Sequence, residues 1–393
     1  MYKYNTKVAI IFIFLLFLIN PICGILLATL FACRDRDEGF VKALIFLNIL
    51  YVCALNTTKV PENDMIRYLL HYEYVPINGY KETLMWTGRL RDVLYSSLVY
   101  LLYYVTFGNQ YLFIFLITFA EYWFMSMAIF KFGKEYHLPK YLIITELLIL
   151  FFFTQYFGLT FHLVRQVLAT CIFFYALTFR SISFRKFLLW SIVSLGIHSS
   201  IGVLVVMSIL PMMKRRLRLI EIGYLVLFAA FFVVIASTFA AFLLDNFEVE
   251  GSIEYTLSRA AGMEGAADNT AGMQLTGLVF SVITLILCLI EWGEKSDMKY
   301  PIVINLALAT ALMVIGLTSS PLIQYRFYFF LYSFFPLLIP LFLRKKIELS
   351  KMFCFAMVAF LMVLFYVRLN HVFQFAPVEQ ALFSPYPFLI KLF

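Results

Sequence analysis

The chain is 393 residues long, 63% of them hydrophobic and only 14% charged, with a mean hydropathy of +0.89. A soluble domain averages about 45–50% apolar and about 25% charged residues. A globule of this size could not hide so much apolar side chain from water, which excludes an ordinary soluble enzyme, a secreted disulfide scaffold and a disordered chain. The excess of 31 Lys+Arg over 23 Asp+Glu is what cytoplasmic loops of membrane proteins collect, and no basic, aromatic-interleaved soluble region points to nucleic acid as a partner.

The expected fold is all-α: a polytopic transmembrane helical bundle forming one integral membrane domain over 1–393, because unpaired strands cannot satisfy their backbone in lipid. A span needs ~20 apolar residues. The first run, 8–31, is too long for the apolar part of a signal peptide and reads as a retained membrane segment. Next come 41–56 and a charged stretch, 57–91, outside the bilayer. Candidates 92–107, 110–130, 141–157, 161–179, 187–210 and 222–244 follow. A second extramembrane stretch, 245–272, is acidic and rich in Gly and Ala. Segments 273–290, 301–318, 326–343 and 352–367 complete about twelve, some short enough to be broken or re-entrant helices. The six cysteines are scattered with no CxxC spacing and read as apolar packing residues rather than a metal site.

Basic clusters orient the segments. Lys214, Arg215, Arg216 and Arg218 mark one cytoplasmic loop, Lys295 and Lys299 a second, and Arg344, Lys345, Lys346 and Lys351 a third, which puts 245–272 outside. Arg34, Arg36 and Lys42 place the loop after the first segment inside, and 57–91 outside. Arg180, Arg185 and Lys186 precede segment 187–210, and the 214–218 cluster follows it, so both flanks call for the same side. A hairpin turning near Gly196-Ile197-His198-Ser199-Ser200 resolves this; the plainer reading is that one of the two basic loops lies outside. Likewise, 92–107 must dip in from outside and return if Lys131, Lys134 and Lys140 are to be inside. Arg165 then lies fifteen residues from Arg180, about 22 Å along a helix, and His198 thirteen from Arg185, about 20 Å. Arg326 lies eighteen residues from Arg344, about 27 Å. All three converge on the outer half of the membrane.

Ionisable groups within membrane segments are expensive and are functional candidates by default. Here they are Glu121, Glu146, Arg165 and His198, with Arg326 and Arg368 at boundaries. Arg165, flanked by His162 and Gln166, offers a guanidinium fork suited to phosphate; a snorkelling Arg at a helix end is the plainer reading. His198 can act as a base or a phosphate donor, or simply pack. Arg326 lies among aromatics, in Gln324-Tyr325-Arg326-Phe327-Tyr328. The 57–91 stretch holds Asp64, Arg67, Tyr68, Arg89, Arg91 and Asp92, which otherwise read as a charged surface segment. Glu121 and Glu146 are expected to pair with an Arg or with each other. Asp35-Arg36-Asp37 resembles a metal-binding DxD, but no soluble nucleotide-sugar domain accompanies it.

The order Asp64…Tyr68, then Val164-Arg165-Gln166-Val167-Leu168-Ala169, then Leu195-Gly196-Ile197-His198-Ser199-Ser200, then Arg326 before an aromatic segment resembles the EpsG family of Wzy-like polymerases of bacterial exopolysaccharide and O-antigen. The resemblance spans about residues 40–345. The chain departs from the family in carrying Lys59 and Val60-Pro61-Glu62-Asn63 where an Arg and a Gly usually precede the Asp.

The resemblance implies a multi-pass enzyme of the bacterial inner membrane that joins undecaprenyl-diphosphate-linked oligosaccharide repeat units on the outer side. It implies no metal and no cofactor, with flippase and chain-length-regulator proteins as candidate partners. His198, Asp64 and Arg165 become the catalytic candidates. Arg165 and Arg326 would face the diphosphate, where charge develops, and His198 or Asp64 would serve as base. Gln166, Tyr68, Arg89, His162 and Tyr325 join Arg326 as substrate contacts, and the Phe-rich helices would line a groove for the polyprenyl tail. Two alternatives share the substrate: a flippase, which should show an internal repeat, and an O-antigen ligase.

Overall fold

Pro21 lacks a backbone N–H and disfavours a helical residue before it, and this shapes the start of the chain. Asn20 is extended (φ −146°, ψ 108°) and its side chain accepts a hydrogen bond from the Cys23 N–H at 3.0 Å. The expected single segment 8–31 is therefore two helices, α1 (Thr6–Ile19) and α2 (Pro21–Arg34), folded against each other. The reversal is tight: a Cβ on Gly24 would lie 2.6 Å from the Phe17 Cα. Fourteen residues make about 21 Å of helix, so neither helix crosses ~30 Å of hydrocarbon.

The computed structural model describes residues 6–35, 37–62, 64–85, 92–229, 238, 242, 270–293, 300–317, 321–343 and 347–372. Among them all regular structure is helical, in keeping with the polytopic bundle expected. By length and composition three helices can cross a membrane: α3 (Glu38–Thr57), α7 (Gln110–Glu135) and Leu275–Gly293. α8 (Lys140–Phe152) and α9 (Thr154–His162), bent by 53° at Phe153, meet the same length and composition only when taken together, as a broken span or a re-entrant pair. The expected segments 141–157 and 161–179 are thus redrawn, with the second beginning as α10 (Val164–Leu177) after a break at Leu163. The described residues divide into two units, 1–202 with 346–393, and 203–345.

In the first unit, the 57–91 stretch forms two short helices, α4 (Asp64–Glu73) and α5 (Val75–Leu84). Met65, Tyr68, Leu69 and Tyr72 recur at helical spacing and form the buried face of α4. α6 (Val93–Val105) packs on both and is too short to span. Asn109 then caps α7, accepting from the N–H groups of Tyr111 and Leu112. At the far end of α7, Lys134 pairs with Glu38 at 2.7 Å, and Lys140 donates to the carbonyls of Asp35 and Asp37. Lys131 donates to the Tyr175 hydroxyl near the end of α10. The basic residues assigned to the cytoplasmic side from sequence therefore gather at one end of the unit.

α10 and α11 (Phe184–Ile197) are packed antiparallel across the turn 178–183. The Ser194 hydroxyl donates to the Ala169 carbonyl at 2.6 Å. Ser194 is one turn before His198 and Ala169 one turn after Arg165, so this bond sets Arg165 opposite His198. Helix α11 ends where the break was expected: His198 is extended (φ −156°, ψ 120°), and a short 3-10 turn, Ser199–Ile201, follows. α17 (Ile347–Val372) packs on α8.

The second unit holds α12 (Gly202–Ile209), α13 (Leu219–Ala229), α14 (Thr270–Gly293), α15 (Pro301–Gly316) and α16 (Pro321–Leu343). α14, α15 and α16 pack on one another, with Gly277 set against the Tyr328 ring. Buried Asn305 donates to the carbonyls of Met213 and Arg215, and Trp292 donates to that of Leu217, pinning the 210–218 loop to the bundle. The acidic loop expected at 245–272 lies, up to residue 269, outside the described residues.

Candidate active site

Three cut ends meet in the first unit: the start of α6, the start of α10 and the end of α11. Asp92 immediately precedes α6. Its backbone is left-handed (φ 52°, ψ 47°), a conformation that Asp tolerates better than most residues. Its side chain is almost wholly buried, and a buried carboxylate must be paired. Oδ2 accepts from Arg165 Nη1 at 2.8 Å and from His198 Nδ1 at 3.1 Å; Oδ1 accepts from the Ser199 N–H at 3.3 Å. The depth arithmetic, which put Arg165 and His198 level, thus finds them on one carboxylate.

Around this triad the walls are aromatic. The Arg165 guanidinium carbon lies 5.4 Å from the Tyr68 ring centre and 5.9 Å from that of Tyr95, and the two rings meet edge to face at 5.8 Å. His71, on α4, packs beside Tyr95, and its Nε2 donates to the Thr83 carbonyl at 3.0 Å. Burial, together with the nearby Arg165 charge, lowers the His71 pKa to about 4, so this ring is neutral at neutral pH.

The site also contains polar atoms without protein partners. Arg165 Nε, Tyr95 Oη and Ser200 Oγ are buried and make no hydrogen bond among the described residues. Folded proteins satisfy most such atoms, so a cluster of unmet donors and acceptors marks a place prepared for a polar ligand. About a third of the Arg165 side chain remains open. Arg165 also sits at the positive end of the α10 dipole. One carboxylate thus faces a guanidinium and a helix N-terminus, a balance that favours an added anion.

Other candidates are placed as follows. Asp64 is partly buried at the start of α4, one turn before Tyr68, and lies 3.6 Å from Arg67. It interacts electrostatically with His162. Gln166 is buried on α10. Arg326 is half-buried on α16 of the second unit, while Arg89 and the Tyr325 side chain lie outside the described residues. Glu121 is corrected in its partner: its carboxylate interacts with Lys59, which is itself buried and donates to the Phe157 carbonyl at 3.0 Å. Asp92 was visible in the sequence as a loop charge, and its central place was missed. The available signal was an acidic residue in the capping position before an apolar helix.

The EpsG family model matches residues 39–386. No curated protein and no solved structure gives a significant match. With a match over most of its length, the chain belongs to the EpsG family of Wzy-like polysaccharide polymerases and is a membrane protein.

Proposed function

We propose that this polymerase joins oligosaccharide repeat units carried on polyprenyl diphosphate, on the outer side of the bacterial cytoplasmic membrane. The observation that carries the reading is the single carboxylate of Asp92 holding a cation and an imidazole side by side. A carboxylate only accepts hydrogen bonds, so His198 Nδ1 carries the proton and Nε2 is its basic nitrogen. In the proposed step an acceptor sugar hydroxyl attacks the anomeric carbon of the donor, and Nε2 takes its proton. The bond from that carbon to the diphosphate oxygen breaks. Arg165 and the α10 N-terminus stabilise the charge left on the diphosphate, where fixed cations act most strongly. His198 is preferred to Asp64 as the base because Asp64, partly buried at the start of α4, lies 3.6 Å from Arg67 and not on the Asp92 carboxylate with Arg165.

The test uses purified protein in liposomes supplied with lipid-linked repeats extracted from a producing strain. Chain growth on gels, unchanged by EDTA and independent of an ion gradient, is the expected result. Translocation of the lipid without chain growth would replace this reading with a flippase.

A further inference from the structure

A row of tyrosines leaves the triad and has no part in the chemistry above. It begins at Tyr72, one turn after Tyr68 on α4; the Tyr72 hydroxyl pairs with Thr106. The ring centres then lie 5.2 Å apart from Tyr72 to Tyr103, 5.5 Å from Tyr103 to Tyr104, 5.1 Å from Tyr104 to Tyr100, and 5.0 Å from Tyr100 to Tyr80 on α5. The last three contacts are edge to face, so each ring fixes the tilt of the next. The Tyr80 hydroxyl is hydrogen-bonded to Ser97 at 3.1 Å, which anchors the outer end.

These rings are held in place yet open. Tyr80 is 48% and Tyr104 52% exposed. A belt of tyrosines at the membrane interface is the plain alternative. The two ends of the row differ: Glu73, Lys81 and Glu82 are exposed around Tyr80, which brings that end to water, while exposed Leu101 and Val105 flank Tyr104 on α6, so the row lies along the border between water and lipid. Flat rings interspersed with hydroxyls at this border suit a ligand with apolar C–H faces and hydroxyl edges, which describes a pyranose. Phosphate is poorly matched, since no guanidinium lies in the row.

We propose that Tyr103, Tyr104, Tyr100 and Tyr80 form a track that binds the saccharide chain by stacking, extending the polymerase site outward from Arg165. The inference rests on the polymerase reading and adds to it a binding surface for the sugar. A chain held on the track stays near the site between additions, so the track governs product length.

The test replaces Tyr80, Tyr100 and Tyr104 singly with Leu, which keeps apolar bulk but loses the flat face, and with Phe, which keeps the face. Chain length is read on gels, in cells lacking their own copy and in liposomes with lipid-linked repeats. Leu variants are expected to shift the modal length down several-fold and to accumulate short oligomers, while the corresponding Phe variants stay near wild type. Wild-type lengths from the Leu variants, or equal losses from Leu and Phe, would overturn the track. Tyr104→Leu removes a half-exposed ring and leaves the core intact, so it keeps the test valid if the other variants misfold; unfolding in detergent checks each. Arg165→Ala in the same assay separates the two claims: normal polymer from that variant overturns the polymerase site, whatever the tyrosines do.

Discussion

Asp92 concentrates the argument at the scale of single residues. Replacing it with Asn keeps the shape but removes the charge that orders Arg165 and fixes the His198 tautomer. A positioned general base contributes about 10²–10⁴-fold, so Asp92→Asn is expected to slow chain growth by about 10²-fold or more in the liposome assay. Stability should fall as well, by somewhat less than the roughly 3–5 kcal/mol of a fully buried pair, because a third of the Arg165 side chain meets solvent. Arg165 and His198 were legible in the sequence because ionisable groups in apolar runs are conspicuous and because basic loops gave a depth scale. Asp92 was not, since a carboxylate at the end of a charged stretch looks like any other surface charge until α6 folds back over α10 and α11.

At the scale of elements, helix breaks build the site. Lys59 holds the α9 half-helix by its Phe157 carbonyl, and the same carbonyl accepts from Thr160, whose hydroxyl accepts from Asn56. Lys59→Met removes the donor to the Phe157 carbonyl and the ammonium over the Phe157 ring, and is expected to cost about 1–3 kcal/mol in thermal unfolding. Gly196 lets α11 approach α6 closely, since a Cβ there would lie 2.6 Å from Leu94 Cδ1. His71 ties α4 to α5 and makes the pairing sensitive to acid. Its folded pKa, about 4, lies below the ordinary 6.5. Below pH 6.5 the unfolded chain therefore binds the proton first, and the stability contributed by neutral His71 is lost as pH falls towards 4. Unfolding temperatures should drop across that window, and less so in His71→Phe. The sequence showed the break at His198 through conflicting basic flanks; Asn20-Pro21 offered a signal for the first break that a count of apolar residues passes over, and Leu163 offered none, being an apolar residue with no Gly or Pro beside it.

At the scale of the whole molecule, the apolar content announced a membrane protein of many helical segments, some of them broken, and the helical bundle agrees; what the apolar runs hid is that the first of them, 8–31, is two helices. Folding α1 onto α2 keeps Lys7 and Arg34 on one side, and the Lys134–Glu38 pair brings the end of α7 to the start of α3. Cysteines introduced at Lys7 and Lys134, in a background without native cysteines, are expected to react with an impermeant thiol reagent only when the cytoplasmic face is open. Labelling of Lys7→Cys from outside would restore the single first span.

The central claim is that Arg165 and His198, gathered on Asp92, carry out the joining of repeat units. The direct measurement is chain growth in liposomes by Arg165→Ala and His198→Ala proteins that unfold at wild-type temperatures. The account predicts that donor lipid persists and no long glycan forms with either variant. Polymer of normal length and amount from both would contradict it.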